Sequence, residues 1–151
     1  MNRLLLSLSL CIGSVSMPTP VHAAPASAPA PQAHGGMVFV ANTGLEDTGT
    51  LSSSLRHAIV AKESGVLEDV VWIVYGRAIV VLDPTVQAVP HGLRDDLAAA
   101  RQAGVRVVAC ASALEKYGID PAKLAVPAEV VPNGIVEVAK LVSRGYGVLR
   151  Y

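Results

Sequence analysis

Short apolar runs recur along the chain from residue 37 onwards, and segments with helical periodicity separate them. The clearest run, Asp69–Gly76, is apolar at both alternating sets of positions, which is typical of a strand buried on both faces of a parallel sheet. Similar runs occur at Met37–Ala41, Val105–Ala109, Glu129–Val131 and Gly147–Tyr151. The pattern therefore predicts five strands, with the last one at an edge of the sheet.

Helical spacing of apolar residues fills two of the intervals between these strands. Residues 51–62 carry an apolar stripe that ends at Gly65, and Gly92–Ala103 carries a second stripe that ends at Gly104. Glycine is a common residue just after a helix because it adopts a left-handed backbone without steric cost. The β-branched residues of Arg77–Leu82 favour a strand, but its glycine start and Asp-Pro end favour a short helix, which we prefer.

Two further helices are predicted after the third strand. Ser112 and Glu115 have the spacing of a capping box, which opens a helix. Asn133 is a suitable cap for the last helix, which carries Ile135, Val138, Ala139 and Val142 on one face. This alternation predicts an α/β fold with three layers, in which helices flank a mainly parallel sheet of about five strands.

The first 36 residues differ in composition from the rest. Met1–Ala23 has a positive start, an apolar stretch and a small-residue cleavage pattern, so we expect a secretory signal peptide cleaved after Ala23 or Ala24. Ala24–Gly36 is rich in alanine and proline and is expected to be a disordered tether. Residues 37–151 would then form one domain, located in the periplasm or secreted, without a membrane anchor after cleavage.

Composition narrows the classes of function. The chain is 52% hydrophobic, 16% charged and 4% aromatic, which suits one compact domain with an aliphatic core. Its formal net charge of zero provides no basic excess for a nucleic-acid partner. The sequence contains no glycine-rich phosphate loop, no GxSxG elbow and no recognised spacing of metal ligands, so we expect no cofactor and no metal.

Cys110 is the candidate reactive residue. Removal of the signal peptide would also remove Cys11 and leave Cys110 as a single cysteine without an internal disulfide partner. Cys110 follows a predicted strand and precedes a helix, at the sheet edge where ligands collect in α/β proteins. A helix start lowers the pKa of a thiol, and Arg77 or His57 nearby would lower it further. A buried and inert cysteine is the other interpretation that the sequence leaves open.

An ordered set of motifs resembles the DsrE/DsrF-like family. The set consists of VVWIVYG ending at Gly76, AGVRVVAC ending at Cys110 and followed by Leu114, YGID ending at Asp120, VVPNG ending at Gly134 and followed by Glu137, and Gly145-Tyr146. The resemblance implies a YchN-like fold, homo-oligomers such as trimers or hexamers, and a cysteine that carries sulfur as a persulfide. Cys110 matches the family cysteine, whereas Tyr75 stands where the family usually has a histidine.

These features lead to two hypotheses about function. In the first, the chain is an exported, sulfurtransferase-like carrier whose catalytic Cys110 takes sulfane sulfur from a polysulfide or a donor protein and passes it to an acceptor. The residues expected to shape the binding site are Tyr75, Gly76, Arg77, Ala111 and Ser112. In the second, the chain is a non-catalytic, oligomeric binding or assembly module in which Cys110 is packed and structural.

Overall fold

The computed structural model describes residues 35–151, so the predicted signal peptide and nearly all of the predicted tether lie outside the described residues. Five strands form one sheet in the order β4-β3-β2-β1-β5, and all neighbouring pairs are parallel. The strands are β1 (Gly36–Ala41), β2 (Asp69–Val74), β3 (Arg106–Cys110), β4 (Glu129–Val131) and β5 (Gly147–Arg150). The predicted parallel α/β fold with five strands is confirmed.

The connections between these strands are helical. The α-helices in this range are α1 (Thr48–Glu63), α2 (His91–Gln102), α3 (Ala111–Tyr117) and α4 (Gly134–Ser143). The sequence allowed either a strand or a short helix at Arg77–Leu82. The structure has a 3₁₀ helix there, Gly76–Leu82, which agrees with the preferred helix. None of the helices described is both long enough and apolar enough to cross a bilayer.

The two faces of the sheet are covered unequally. One face carries the main core, in which Phe39 and Trp72 pack with residues of α1, α2, α3 and the 3₁₀ helix. The other face carries a smaller hydrophobic cluster. Leu141 is the one fully buried residue that α4 contributes to this cluster. Strand β5 is exposed along its whole length. Parallel sheets normally have both faces covered, so the α4 side of this sheet is unusually open.

A buried polar contact fixes α1 on the main face. The Trp72 indole N–H donates to the Ser54 hydroxyl over 2.8 Å, and that hydroxyl donates to the Leu51 carbonyl over 2.7 Å. All three side chains are fully buried. Because a buried N–H must find an acceptor, Ser54 allows the largest core side chain to sit beneath this helix.

The apolar face of α4 is largely exposed. Ile135 and Val142 are 57% and 49% exposed, and Ala139 is also exposed. The residues that turn inward are Gly134 and Leu141, seven positions apart, together with half-buried Val138. Glycine at the first position lets the start of α4 lie close to Tyr75 and Cys110.

Candidate functional site around Cys110

Cys110 lies where the starts of two helices meet. It is the last residue of β3, where it pairs with Val131 of β4, and it is also the residue that precedes α3. Helix α4 begins three residues after Val131. Because β3 and β4 are parallel neighbours, the helices that follow them begin at the same edge of the sheet, and the thiol occupies that edge.

The thiol is surrounded by hydrogen-bond donors. Burial raises the pKa of the Cys110 thiol, but the backbone N–H groups of Gly134, Ala113 and Ser112, together with the Ser112 hydroxyl, more than offset it. The net pKa is therefore below the ordinary value of a cysteine. Hydrogen bonds to a charged group favour the charged form, so this environment favours the thiolate.

The Ser112 hydroxyl cannot donate to the thiolate and keep its present bond at the same time. Its single proton is donated to the Pro132 carbonyl over 2.8 Å, while its oxygen lies 3.7 Å from Cys110 Sγ as an acceptor of the thiol proton. A hydroxyl has one proton to give. Ionisation of Cys110 must therefore turn this hydroxyl away from Pro132 before the hydroxyl stabilises the charge.

The capping box predicted at Ser112 is wrong. Helix α3 begins at Ala111, its N-cap is Cys110, and no side chain makes a capping bond there. Ser112 lies within the first turn and bonds across to the segment that follows β4. The reason is that β3 continues to Cys110 through its pairing with β4, so the helix starts at once and leaves no room for a separate cap.

Gly134 and Asn133 complete the site, although sequence reasoning assigned them no role in it. The Asn133 side chain accepts from the N–H groups of Ile135 and Val136 over 3.0 and 3.2 Å, which fixes the start of α4. A Cβ at Gly134 would lie 3.2 Å from the Tyr75 ring and 3.3 Å from Cys110 Cβ. The Pro-Asn-Gly sequence after a short strand is the sequence signal that could have identified these two residues.

The other predicted binding residues are distributed unevenly. Tyr75 is half-buried and lies against Gly134, and Ala111 is the first residue of α3, so both border the thiol. Gly76 lies beyond Tyr75 with a φ of 59° and turns the chain into the 3₁₀ helix.

The two predicted cations have partners elsewhere. Arg77 pairs with Glu46 over 2.8 Å with its side chain 67% exposed, and His57 contacts the Tyr151 hydroxyl over 2.7 Å. The groups that lower the pKa of the thiol are the backbone N–H groups and the Ser112 hydroxyl.

Access to the sulfur is narrow. Cys110 is 7% exposed, and the segment Pro132–Gly134 lies over it. Five surface cavities of the described residues are lined by other side chains. Within residues 35–151, no three His, Cys, Asp or Glu side chains are grouped so that they could hold a metal ion. The thiol therefore has little exposed surface.

Comparison with solved structures shows the same fold in three proteins. The ychN protein from E. coli is 23% identical, with a TM-score of 0.65 over 78% of this chain and 100% of that chain. The protein of unknown function MTH1491 from Methanobacterium thermoautotrophicum is 21% identical, with a TM-score of 0.61 over 78% and 100%. BT1422 from Bacteroides thetaiotaomicron is 16% identical, with a TM-score of 0.58 over 77% and 94%.

Comparison of sequences agrees with this fold. No curated protein sequence gave a significant match. The family model of the DsrE/DsrF-like family matches residues 36–151, a range that includes all five strands and the thiol site. This range is most of the chain, and the protein therefore belongs to the DsrE/DsrF-like family.

Proposed function

We propose that Cys110 carries sulfane sulfur as a persulfide. The Cys110 thiolate attacks the outer sulfur of a donor R–S–SH, a bond forms between the two sulfurs, the S–S bond of the donor breaks, and R–S⁻ leaves. An acceptor thiolate then attacks the outer sulfur of Cys110–S–SH, which restores the Cys110 thiolate. No electrons are gained or lost overall, because each step exchanges one S–S bond for another.

The observation that carries this proposal is the position of Cys110 at the end of β3, where helices α3 and α4 both begin. Donors from the starts of α3 and α4 lower the pKa of the thiol despite its burial, and the thiolate is the nucleophile in sulfur exchange. A cysteine that merely fills space requires no such donors. Membership of the DsrE/DsrF-like family supports the same proposal.

The test is mass spectrometry after incubation with inorganic polysulfide. We expect the tryptic peptide that spans residues 107–116, which contains Cys110, to gain the mass of one sulfur atom and to lose it again when dithiothreitol is added. Cys110→Ser should gain none, and Cys110→Ser is the matched control because it keeps the size of the side chain. An unmodified peptide from folded wild-type protein would refute the carrier function.

We also propose that the protein acts outside the cytoplasm. The support is the pattern of Met1–Ala23, in which an apolar stretch follows Arg3 and ends at small residues. Fractionation of the native host should recover the protein from the periplasm or the medium with a new N-terminus after Ala23 or Ala24. Recovery of the intact chain from the cytoplasm would contradict this localisation.

The second candidate function is that of a homo-oligomeric assembly module, a trimer or a hexamer. The outward flank of α4 exposes Ile135 and Val142, and Val148 is exposed on the same face of the sheet, since it pairs with Val38 of the smaller core cluster. Contiguous apolar patches mark interfaces between chains, and these side chains would contribute to such a patch. The low exposure of Cys110 fits this candidate as well.

Light scattering during size-exclusion chromatography tests the assembly. We expect the wild type to be oligomeric and the double variant Ile135→Glu, Val142→Glu to be monomeric, because each glutamate would bury a charge in the interface. Val60→Glu is the matched control, since Val60 is 66% exposed on α1, a helix of the main core face. A monomeric wild type would refute this candidate without affecting the sulfur carrier.

A further inference from the structure

Strand β5 forms an edge of the sheet with backbone groups that face outward. It pairs with β1 on one side, and no strand lies on its other side in the described part of the chain. The Tyr151 N–H donates to the Val40 carbonyl over 2.8 Å, and the Tyr151 carbonyl accepts from the Asn42 N–H over 3.3 Å. The backbone of Tyr151 therefore faces β1. Because successive residues of a strand direct these groups to opposite sides, the N–H and C=O groups of Val148 and Arg150 face outward.

This edge lacks the features that usually protect an exposed strand from pairing with another chain. Natural edge strands are protected by proline, by lysine, by a bulge or by a covering segment. At the opposite edge, β4 is only three residues long and Pro132 follows it directly. Strand β5 contains neither proline nor lysine, pairs with β1 in regular register, and exposes Val148 and Leu149 by 41% and 44%. A covering segment would supply the missing protection.

The sequence that precedes β1 has prolines only at odd-numbered positions, namely Pro25, Pro29 and Pro31. In an extended chain these positions share one side, and proline has no N–H to donate there. Ala26 and Ala28 lie on the other side and keep their donors. Proline occurs in edge strands where its nitrogen faces solvent, and the residue before a proline favours an extended backbone. This sequence therefore has the pattern of a strand that pairs on one side only.

The chain before β1 is long enough to reach the outer side of β5. The first residue of β5, Gly147, pairs with Met37 near the start of β1. Gly35 has a φ of 71°, so the extended backbone of β1 does not continue through it. The outer side of β5 is two strand spacings from β1, or about 10 Å. The six residues from Pro29 to His34 span up to about 20 Å when extended, which is enough to pass the start of β5.

We propose that residues 24–29 add to the outer side of β5 as a sixth strand. The chain must run back towards the start of β1, so the new strand is antiparallel to β5. Ala28 pairs with Val148 and Ala26 pairs with Arg150, each through two backbone hydrogen bonds. The prolines face solvent, so the new edge offers few donors to a further chain. This pairing takes the place of the disorder that composition alone predicts.

Amide hydrogen exchange followed by NMR tests this pairing. The isotope-labelled protein is purified from its native host with its natural N-terminus, and mass spectrometry establishes whether residues 24–34 are present. We expect the Val148 and Arg150 amides to exchange about tenfold more slowly than in a variant that cannot pair, because a strand bond must open before its amide exchanges. The Leu149 amide faces β1 and reports in every sample that β5 is folded.

The side on which a proline is placed separates directed pairing from a general effect of the segment. The double variant Ala26→Pro, Ala28→Pro removes both donors that face β5, so the slow exchange should be lost. Ser27→Pro is the matched control, because it places a proline on the side that faces solvent. We expect Ser27→Pro to keep the slow exchange.

Several results would overturn the proposal. Fast exchange of Val148 and Arg150 in the wild type would do so, as would the absence of residues 24–34 from the natural protein. Loss of slow exchange in Ser27→Pro would show that the side of the proline is irrelevant. Slow exchange that survives the double variant and increases with protein concentration would show that a second copy covers the edge instead. Cys110→Ser should keep the slow exchange, which separates this result from the sulfur chemistry.

Discussion

Replacement of Asn133 by alanine should weaken both the fold and the thiol site. The Asn133 side chain accepts two N–H groups at the start of α4, and alanine leaves both without a partner. Loss of an N-cap typically costs about 0.5–2 kcal/mol of stability. For a domain of this size we expect a fall in Tm of about 3–6 °C for each kcal/mol.

The same substitution should raise the pKa of Cys110. The N–H of Gly134 is the first of the donors that lower this pKa, and it belongs to the turn that Asn133 holds. A frayed turn no longer keeps that N–H directed at the sulfur, while the burial that raises the pKa remains. The thiolate fraction near neutral pH should therefore decrease in Asn133→Ala.

Two measurements on the same variants test this reasoning. Thermal unfolding gives Tm, and the rate of alkylation by iodoacetamide as a function of pH gives the pKa of the thiol. Asn133→Ser is the matched control, because serine retains an oxygen that accepts from the helix start. It should resemble the wild type in both measurements.

The reasoning fails if Asn133→Ala has the Tm and the thiol titration of the wild type. It also fails if Asn133→Ser loses as much as Asn133→Ala, because the acceptor oxygen would then be irrelevant. A lower Tm with an unchanged titration would mean that the N–H of Gly134 is held by something other than the cap.

Three further predictions concern stability. Ser54→Ala should lower the free energy of unfolding in urea by about 1–3 kcal/mol, because the buried Trp72 N–H loses its acceptor; no loss would refute this. Gly118→Ala should cost about 1–2 kcal/mol because its φ is 67°, whereas Gly92→Ala in α2 should be neutral or stabilising. Since the pKa of Cys110 is lowered in the folded protein, the free energy of unfolding of the wild type relative to Cys110→Ala should increase as the pH rises through that pKa. A difference in free energy that is larger at low pH would refute the sign.

The strands and their parallel arrangement were predictable because the apolar pattern of a buried strand is a strong and local signal. Asp69–Val74 is apolar on both faces and lies at the centre of the sheet, as its pattern predicts. Asn133 caps α4 as expected, because a short acceptor side chain before an apolar helix has few other uses. Boundaries moved by a residue or two, since strand ends depend on pairing with neighbours: Gly36 joins β1 through its pairing with Asp69.

The site was only partly predictable, because its important contacts join segments distant in sequence. Cys110 was identifiable from the strand-to-helix junction, but Gly134, whose N–H lowers the pKa of its thiol, lies on the next strand–helix unit. Ser112 matched a local motif, yet its hydroxyl bonds to Pro132 instead. Local spacing identified Ser112 as a hydrogen-bonding residue but assigned it the wrong partner, because its partner depends on how β3 and β4 align.

The orientation of α4 connects the two proposed functions. Gly134 faces inward beside Cys110, whereas Ile135 and Val142 face outward and form an apolar flank. An alanine at position 134 would place its Cβ 3.2 Å from Tyr75 and 3.3 Å from Cys110 Cβ, so these side chains or the start of α4 would have to shift by a few tenths of an ångström. The donor that lowers the pKa of the thiol and the exposed apolar flank therefore belong to one helix. A second chain seated on that flank would also restrain the start of α4, so assembly would hold the thiolate in its stabilised form.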